Sequence, residues 1–139
     1  MALNRKVLRL RARAFVRQGF RCFYCGLPMW NSHVGDFTRV YGVTLDQAKT
    51  QQCTAEHLLA RGNGGQDTED NVVAACRHCN EVRHRYMPNA PWQQFFAVVG
   101  IQMANGVWRR RSLLQRLMPK PGPLLAWRAE RSNALELSP

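Results

Sequence analysis

Glu56 and His57 are adjacent, and Asn80 follows them within one dense stretch, residues 53–80. A carboxylate and an amide oxygen are hard ligands, suited to Mg²⁺ or Mn²⁺ with water and substrate phosphate in the other positions. A single carboxylate leaves a divalent ion net positive, as an anionic substrate requires. His57 is the natural general base, because imidazole titrates near neutral pH. A divalent ion and a histidine base beside a basic surface are what phosphodiester hydrolysis needs. Taken singly, Glu56 and His57 are polar residues at a strand end; the combination carries the chemistry.

A second constellation surrounds the first. Four of the five cysteines form two Cys-x-x-Cys pairs, Cys22/Cys25 and Cys76/Cys79, with 50 residues (26–75) between them. Such knuckles build a tetrahedral thiolate site for structural Zn²⁺, and Gly26 lets the first turn close. Redox-active pairs share the spacing but need a thioredoxin-like βαβ context, which is missing here. A metal staple suits a 139-residue chain with a small core. Cys53 is left over and reads as a buried apolar residue. An odd cysteine count without an apolar leader argues against disulfides and for a reducing, cytoplasmic setting.

These groups need elements to hold them. Thr54–Leu59 reads as a strand. Arg61–Asp70 is a loop rich in Gly, Asn and Asp, residues that tolerate tight turns. Asn71–Ala75 reads as a second strand, and a helix runs from about Arg77 to Tyr86. The second knuckle then sits at the strand-to-helix junction. Helix neighbours point about 100° apart, so Cys79 faces zinc while Asn80 faces elsewhere. His84, four positions on, shares the Asn80 face. One helix thus serves a structural metal on one side and a chemical site on the other.

The net charge is +11, from 20 Lys+Arg against 9 Asp+Glu, and only Lys6, Lys49 and Lys120 are lysine. The arginine fork fits phosphate oxygens. Such a chain expects nucleic acid first and an anionic membrane surface second. No segment approaches the ~20 apolar residues that span a bilayer. Residues 1–18 read as an approximately amphipathic helix ended at Gly19; Arg9, Arg13 and Arg17 on it could track a nucleic-acid backbone. Trp30, Val34, Phe37, Val40 and Tyr41 read as packing residues, His33 as a surface residue, and 46–52 as a short helix. Trp92, Phe95, Phe96, Val99 and Met103 recur at helical spacing, as a core stripe does. Leu113, Leu114, Leu117 and Met118 mark a further helix. The expected organisation is a core at 1–87, a helical extension packed on it at 88–118, and a Pro-rich tail at 119–139. A homodimer through the C-terminal helices is compatible with this pattern.

On CFYCG, EH, GNGG, Asn71 and CRHCN, residues 5–86 resemble the HNH endonucleases. The spacing agrees, with 14 positions from His57 to Asn71 and 9 from Asn71 to Asn80. The resemblance implies an α+β fold. Its small ββα-metal core would be stapled by the four-cysteine zinc site and flanked by the basic N-terminal helix and the C-terminal helices. It implies that His57 activates water, that Asn71 braces the loop and so orients the base, and that Glu56 and Asn80 hold one divalent ion. It also implies 3′-hydroxyl and 5′-phosphate products. Glu56 stands where aspartate is more usual, and Asn80 replaces the third histidine. His84 is a further ligand or a phosphate contact. Arg61, Arg77, Arg83 and Arg85 are expected to hold the backbone of DNA, with RNA left open. Two other classes remain: a zinc-stapled nucleic-acid-binding module without catalysis, and an interaction protein that dimerises through its C-terminal helices. Binding alone would need none of Glu56, His57 and Asn80.

Overall fold

The structure, a computed structural model, describes residues 4–118. It is α+β, with helices around a two-stranded sheet. Helix α1 (Arg5–Arg17) is capped by Asn4, whose side chain accepts from the Val7 N–H. Val7, Leu10 and Ala14 form its buried stripe, and it packs on the sheet. Its last turn feeds Gln18, a buried amide that meets the outer edge of the second strand. Gln18 Nε2 donates to the Ala74 carbonyl (2.8 Å), and the Ala74 N–H donates to Gln18 Oε1 (3.0 Å). The Ala74 carbonyl also accepts from the Phe23 N–H (3.0 Å), so Gln18 gives the Ala74 N–H its acceptor and the carbonyl a second donor.

Strand β1 (Cys53–His57) pairs antiparallel with β2 (Val72–Cys76), in a register that runs from Cys53 opposite Cys76 to His57 opposite Val72. Every residue of β2 is buried. β2 leads straight into α4 (Arg77–Tyr86), giving the strand, loop, strand and helix order expected from sequence. The strand boundaries lie one or two residues from their expected positions. Between the strands, the loop folds back on itself. A Cβ on Gly65 would lie 1.7 Å from the Leu59 carbonyl oxygen, so only glycine permits that approach.

Two further helices, α2 (Val34–Tyr41) and α3 (Leu45–Lys49), follow the first knuckle. The first of them was not expected. Its Phe37 is buried, but Val40 is 74% exposed, so Val40 is not the packing residue that the sequence suggested. An eight-residue helix buries only one stripe, and Val40 lies off it. His33 is exposed, in a left-handed conformation just before α2. α3 carries a capping box built from Thr44 and Gln47.

The chain closes with α5 (Trp92–Ala104) and α6 (Arg111–Leu117). Phe95, Val99, Met103, Leu113, Leu114 and Leu117 join the same core cluster as the cysteines and Tyr24. Phe95 meets the Tyr24 ring edge-on at 4.8 Å. The apolar stripe considered for a homodimer therefore fills the chain's own core. Among the described residues, no helix is long and apolar enough to cross a membrane. The tail expected at 119–139 lies outside the described residues.

Candidate active site

The four knuckle cysteines converge. The sulfurs of Cys22, Cys25, Cys76 and Cys79 lie within 4.8 Å of one another, and all four residues are buried. Cys25 and Cys76 Sγ are 4.0 Å apart. Tetrahedral zinc with Zn–S bonds of about 2.3 Å separates its sulfurs by about 3.8 Å. The residues therefore fit a four-thiolate metal centre. Local backbone makes the turns: Gly26 has φ 74°, and its N–H donates to the Cys22 carbonyl. Cys76 caps α4, with its sulfur accepting from the Cys79 N–H at 3.4 Å, while burial pushes its thiol well above the usual value. Cys53 stands apart, buried as expected, and burial pushes its thiol up to about 12.

Glu56 is 1% exposed, the buried carboxylate of the molecule's sheet–helix interface. Its Oε1 meets His84 Nε2 at 3.1 Å, and Arg83 Nη1 lies 3.2 Å from Oε2. The second contact is an ion pair without hydrogen-bond alignment, so Oε2 is a buried oxygen lacking a donor. The hydrogen bond that His84 donates to Glu56, opposed by burial, raises the pKa of His84 above the usual imidazole value. Two neighbouring ligands on an octahedral ion with bonds of about 2.1 Å sit about 3.0 Å apart. The Glu56–His84 pair and the orphaned oxygen thus fit a hard divalent ion. Asn80 points to β1, where Nδ2 donates to Thr54 Oγ1 (3.0 Å) and to the Ala55 carbonyl (3.3 Å). It ties α4 to the strand that carries Glu56 and His57.

His57 ends β1, and its partners differ from those of Glu56. Its Nε2 lies 2.8 Å from Asp67 Oδ1 in the loop. Arg61 reaches both oxygens of the same carboxylate at 3.1 Å. The His57 hydrogen bond first, and Arg61 after it, hold the Asp67 carboxyl below its usual value. Asn71 clamps the loop: Oδ1 accepts from the Leu59 N–H (2.8 Å), and Nδ2 donates to the Leu59 (3.0 Å) and Gln66 (2.9 Å) carbonyls.

The expected backbone contacts divide. Arg9, Arg13, Arg17, Arg61, Arg77 and Arg85 are exposed. Arg13 pairs with Glu69 at 3.0 Å, and Arg77 with Gln52. Arg83 does not belong among them. It is 5% exposed, and Nη1 donates to Tyr24 Oη and the His57 carbonyl, while Nη2 donates to the Leu58 carbonyl. A charge this deep is held by the Glu56 carboxylate and is not offered to a phosphate. Asp67 is the residue that sequence reading passed over. The loop's Gly, Asn and Asp content points to turn chemistry, and the acid ten positions after His57 is the cue to this contact.

Two antiparallel strands followed by a helix, with a histidine at the first strand's end, make a ββα unit. Residues 44–85 match the HNH endonuclease family model, in agreement with the motif resemblance. More particularly, the chain is 27% identical over 96 residues to the CRISPR-associated endonuclease Cas9 of Corynebacterium diphtheriae. The match covers 68% of this chain and 7% of that relative, so the chain spans only a small part of the relative's length. No solved structure matches the chain.

Proposed function

We propose that the chain is a metal-dependent HNH endonuclease that hydrolyses phosphodiester bonds of DNA, with RNA the second candidate. The observation that carries this reading is the junction of β1, its loop and α4. His57, the Glu56–His84 pair and the Asn71 clamp all belong to these consecutive elements, within or beside the segment that matches the family model.

His57 takes a proton from water, the water oxygen bonds to phosphorus, and the bond to the 3′-oxygen breaks, that oxygen taking a proton from solvent to become the 3′-hydroxyl. A Mg²⁺ or Mn²⁺ ion, held by Glu56 with His84 and Asn80 beside it, would neutralise charge on the phosphate and leaving oxygen. Asn71 holds the loop that flanks the base. Arg61, Arg77 and Arg85 supply nearby guanidiniums for the backbone, and Arg9, Arg13 and Arg17 extend the basic surface along α1. Zn²⁺ at the four cysteines is structural, and buried free thiols suit a reducing, cytoplasmic setting.

A plasmid cleavage assay on zinc-loaded protein tests this, with Mg²⁺, Mn²⁺ and metal-free arms and His57→Ala in parallel. Cleavage should need the added ion. It should fall at least about 100-fold in the variant, the scale of a lost general base, with the fold and DNA binding intact. A fully active variant would end the assignment. A second reading, a zinc-stapled binding module without catalysis, has one observation in its favour: Glu56 is buried with Arg83 against it. Salt-sensitive DNA binding without cleavage under any metal would select that reading.

A further inference from the structure

Among the described residues, Asp67 is the acid in contact with the proposed base. It sits in the 58–71 loop, ten residues from His57, with its side chain 22% exposed and its Oδ1 2.8 Å from His57 Nε2. The same carboxylate carries the Arg61 fork. With its pKa held low by these two partners, Asp67 is ionised and accepts only. Nε2 must then bear the proton, and in the neutral ring Nδ1 carries the lone pair.

We propose that Asp67 is a positioning residue for His57, fixing the ring so that Nδ1 is the nitrogen that takes the proton from water. The proposal rests on the nuclease reading above. Asp67 touches neither water nor phosphate in this scheme and acts through the imidazole. Arg61 is a second and more exposed partner of the carboxylate, and the His57 hydrogen bond is the contact that fixes the ring. The Asn71 clamp fixes Leu59, two residues after His57, and Gln66, one before Asp67, and so holds the loop at the distance the contact requires.

A plain structural role for Asp67, bracing the loop through Arg61, makes different predictions. Asp67→Asn keeps the shape of the side chain, but its oxygen is the better partner for Arg61, which leaves its N–H facing Nε2. The opposite tautomer is then favoured. The zinc-loaded full chain, Asp67→Asn, Asp67→Glu and Arg61→Ala are compared by steady-state cleavage and by imidazole ¹H–¹⁵N spectra. In Asp67→Asn, kcat should fall about 10- to 100-fold with KM unchanged. The downfield, slowly exchanging Nε2–H resonance of His57 should disappear. Asp67→Glu should restore both in part. Arg61→Ala should raise KM and keep the resonance. Wild-type kcat in Asp67→Asn, or a resonance that survives there, overturns the proposal. So does its loss in Arg61→Ala to the same extent as in Asp67→Asn. A wild-type chain that cleaves nothing overturns the nuclease reading instead, and the resonance still decides whether Asp67 fixes the ring.

Discussion

Replacing Arg83 with methionine would leave the Glu56 carboxylate buried without its countercharge. The two side chains are 6% and 1% exposed, so solvent screens the pair little. Removing one partner of such a pair costs about 3–5 kcal/mol. Chemical denaturation of Arg83→Met should show a loss of that size, whereas Arg85→Met, on the exposed side of α4, should change stability by less than about 0.5 kcal/mol. Arg83 also donates to Tyr24, His57 and Leu58, so its loss should loosen the end of β1 as well. Two arginines that look alike in sequence thus have opposite jobs. Their difference is one of helix phase: Arg83 lies four residues after the buried Cys79, while Arg85 points to solvent.

At the scale of elements, α4 is held from both ends of its first turns. Cys76 and Cys79 tie it to the first knuckle, and Asn80 ties it to β1. The sheet has only two strands, too few to be stable alone. The thiolate centre therefore contributes to the folding of the ββα unit itself. Stripping metal with a strong chelator should lower the melting temperature and remove the near-ultraviolet signal of the packed aromatics. Mg²⁺ should not restore it, and Zn²⁺ should. Cys53→Ser, which alters no ligand, should leave zinc content unchanged by elemental analysis. The loop between the strands depends on Gly65 and Asn71 for its shape, and His57 sits at its root.

For the whole molecule, charge is the controlling quantity. With a net charge of +11, binding to a polyanion should weaken steeply with salt. Each phosphate contact in B-DNA contributes about 0.9 to the slope of log K against log salt. The combined Arg9→Ala, Arg13→Ala and Arg17→Ala variant should reduce that slope by about 2–3 and leave kcat at saturating substrate unchanged. An unaltered slope would remove α1 from the binding surface. Arg13 is already paired with Glu69, an exposed contact worth under about 1 kcal/mol, so phosphate competes for it easily.

Much of this was legible in the linear chain. The knuckle spacing, the order of strand, loop, strand and helix, and the pairing of a carboxylate with a histidine are local patterns, set by turn chemistry and by residue type. Helix phase alone separates Cys79 from Asn80 and brings His84 onto the same side. What only the tertiary structure decided are the contacts between segments: His84 with Glu56, Arg83 beneath them, and Asp67 against His57. The short helix at Val34–Tyr41 is a similar case, since its one buried residue, Phe37, has value only against a core built elsewhere. The charges explain why sequence could not reach these. An arginine reads the same whether it faces solvent or a buried carboxylate, and which of the two it meets depends on how the sheet, loop and helix close around it.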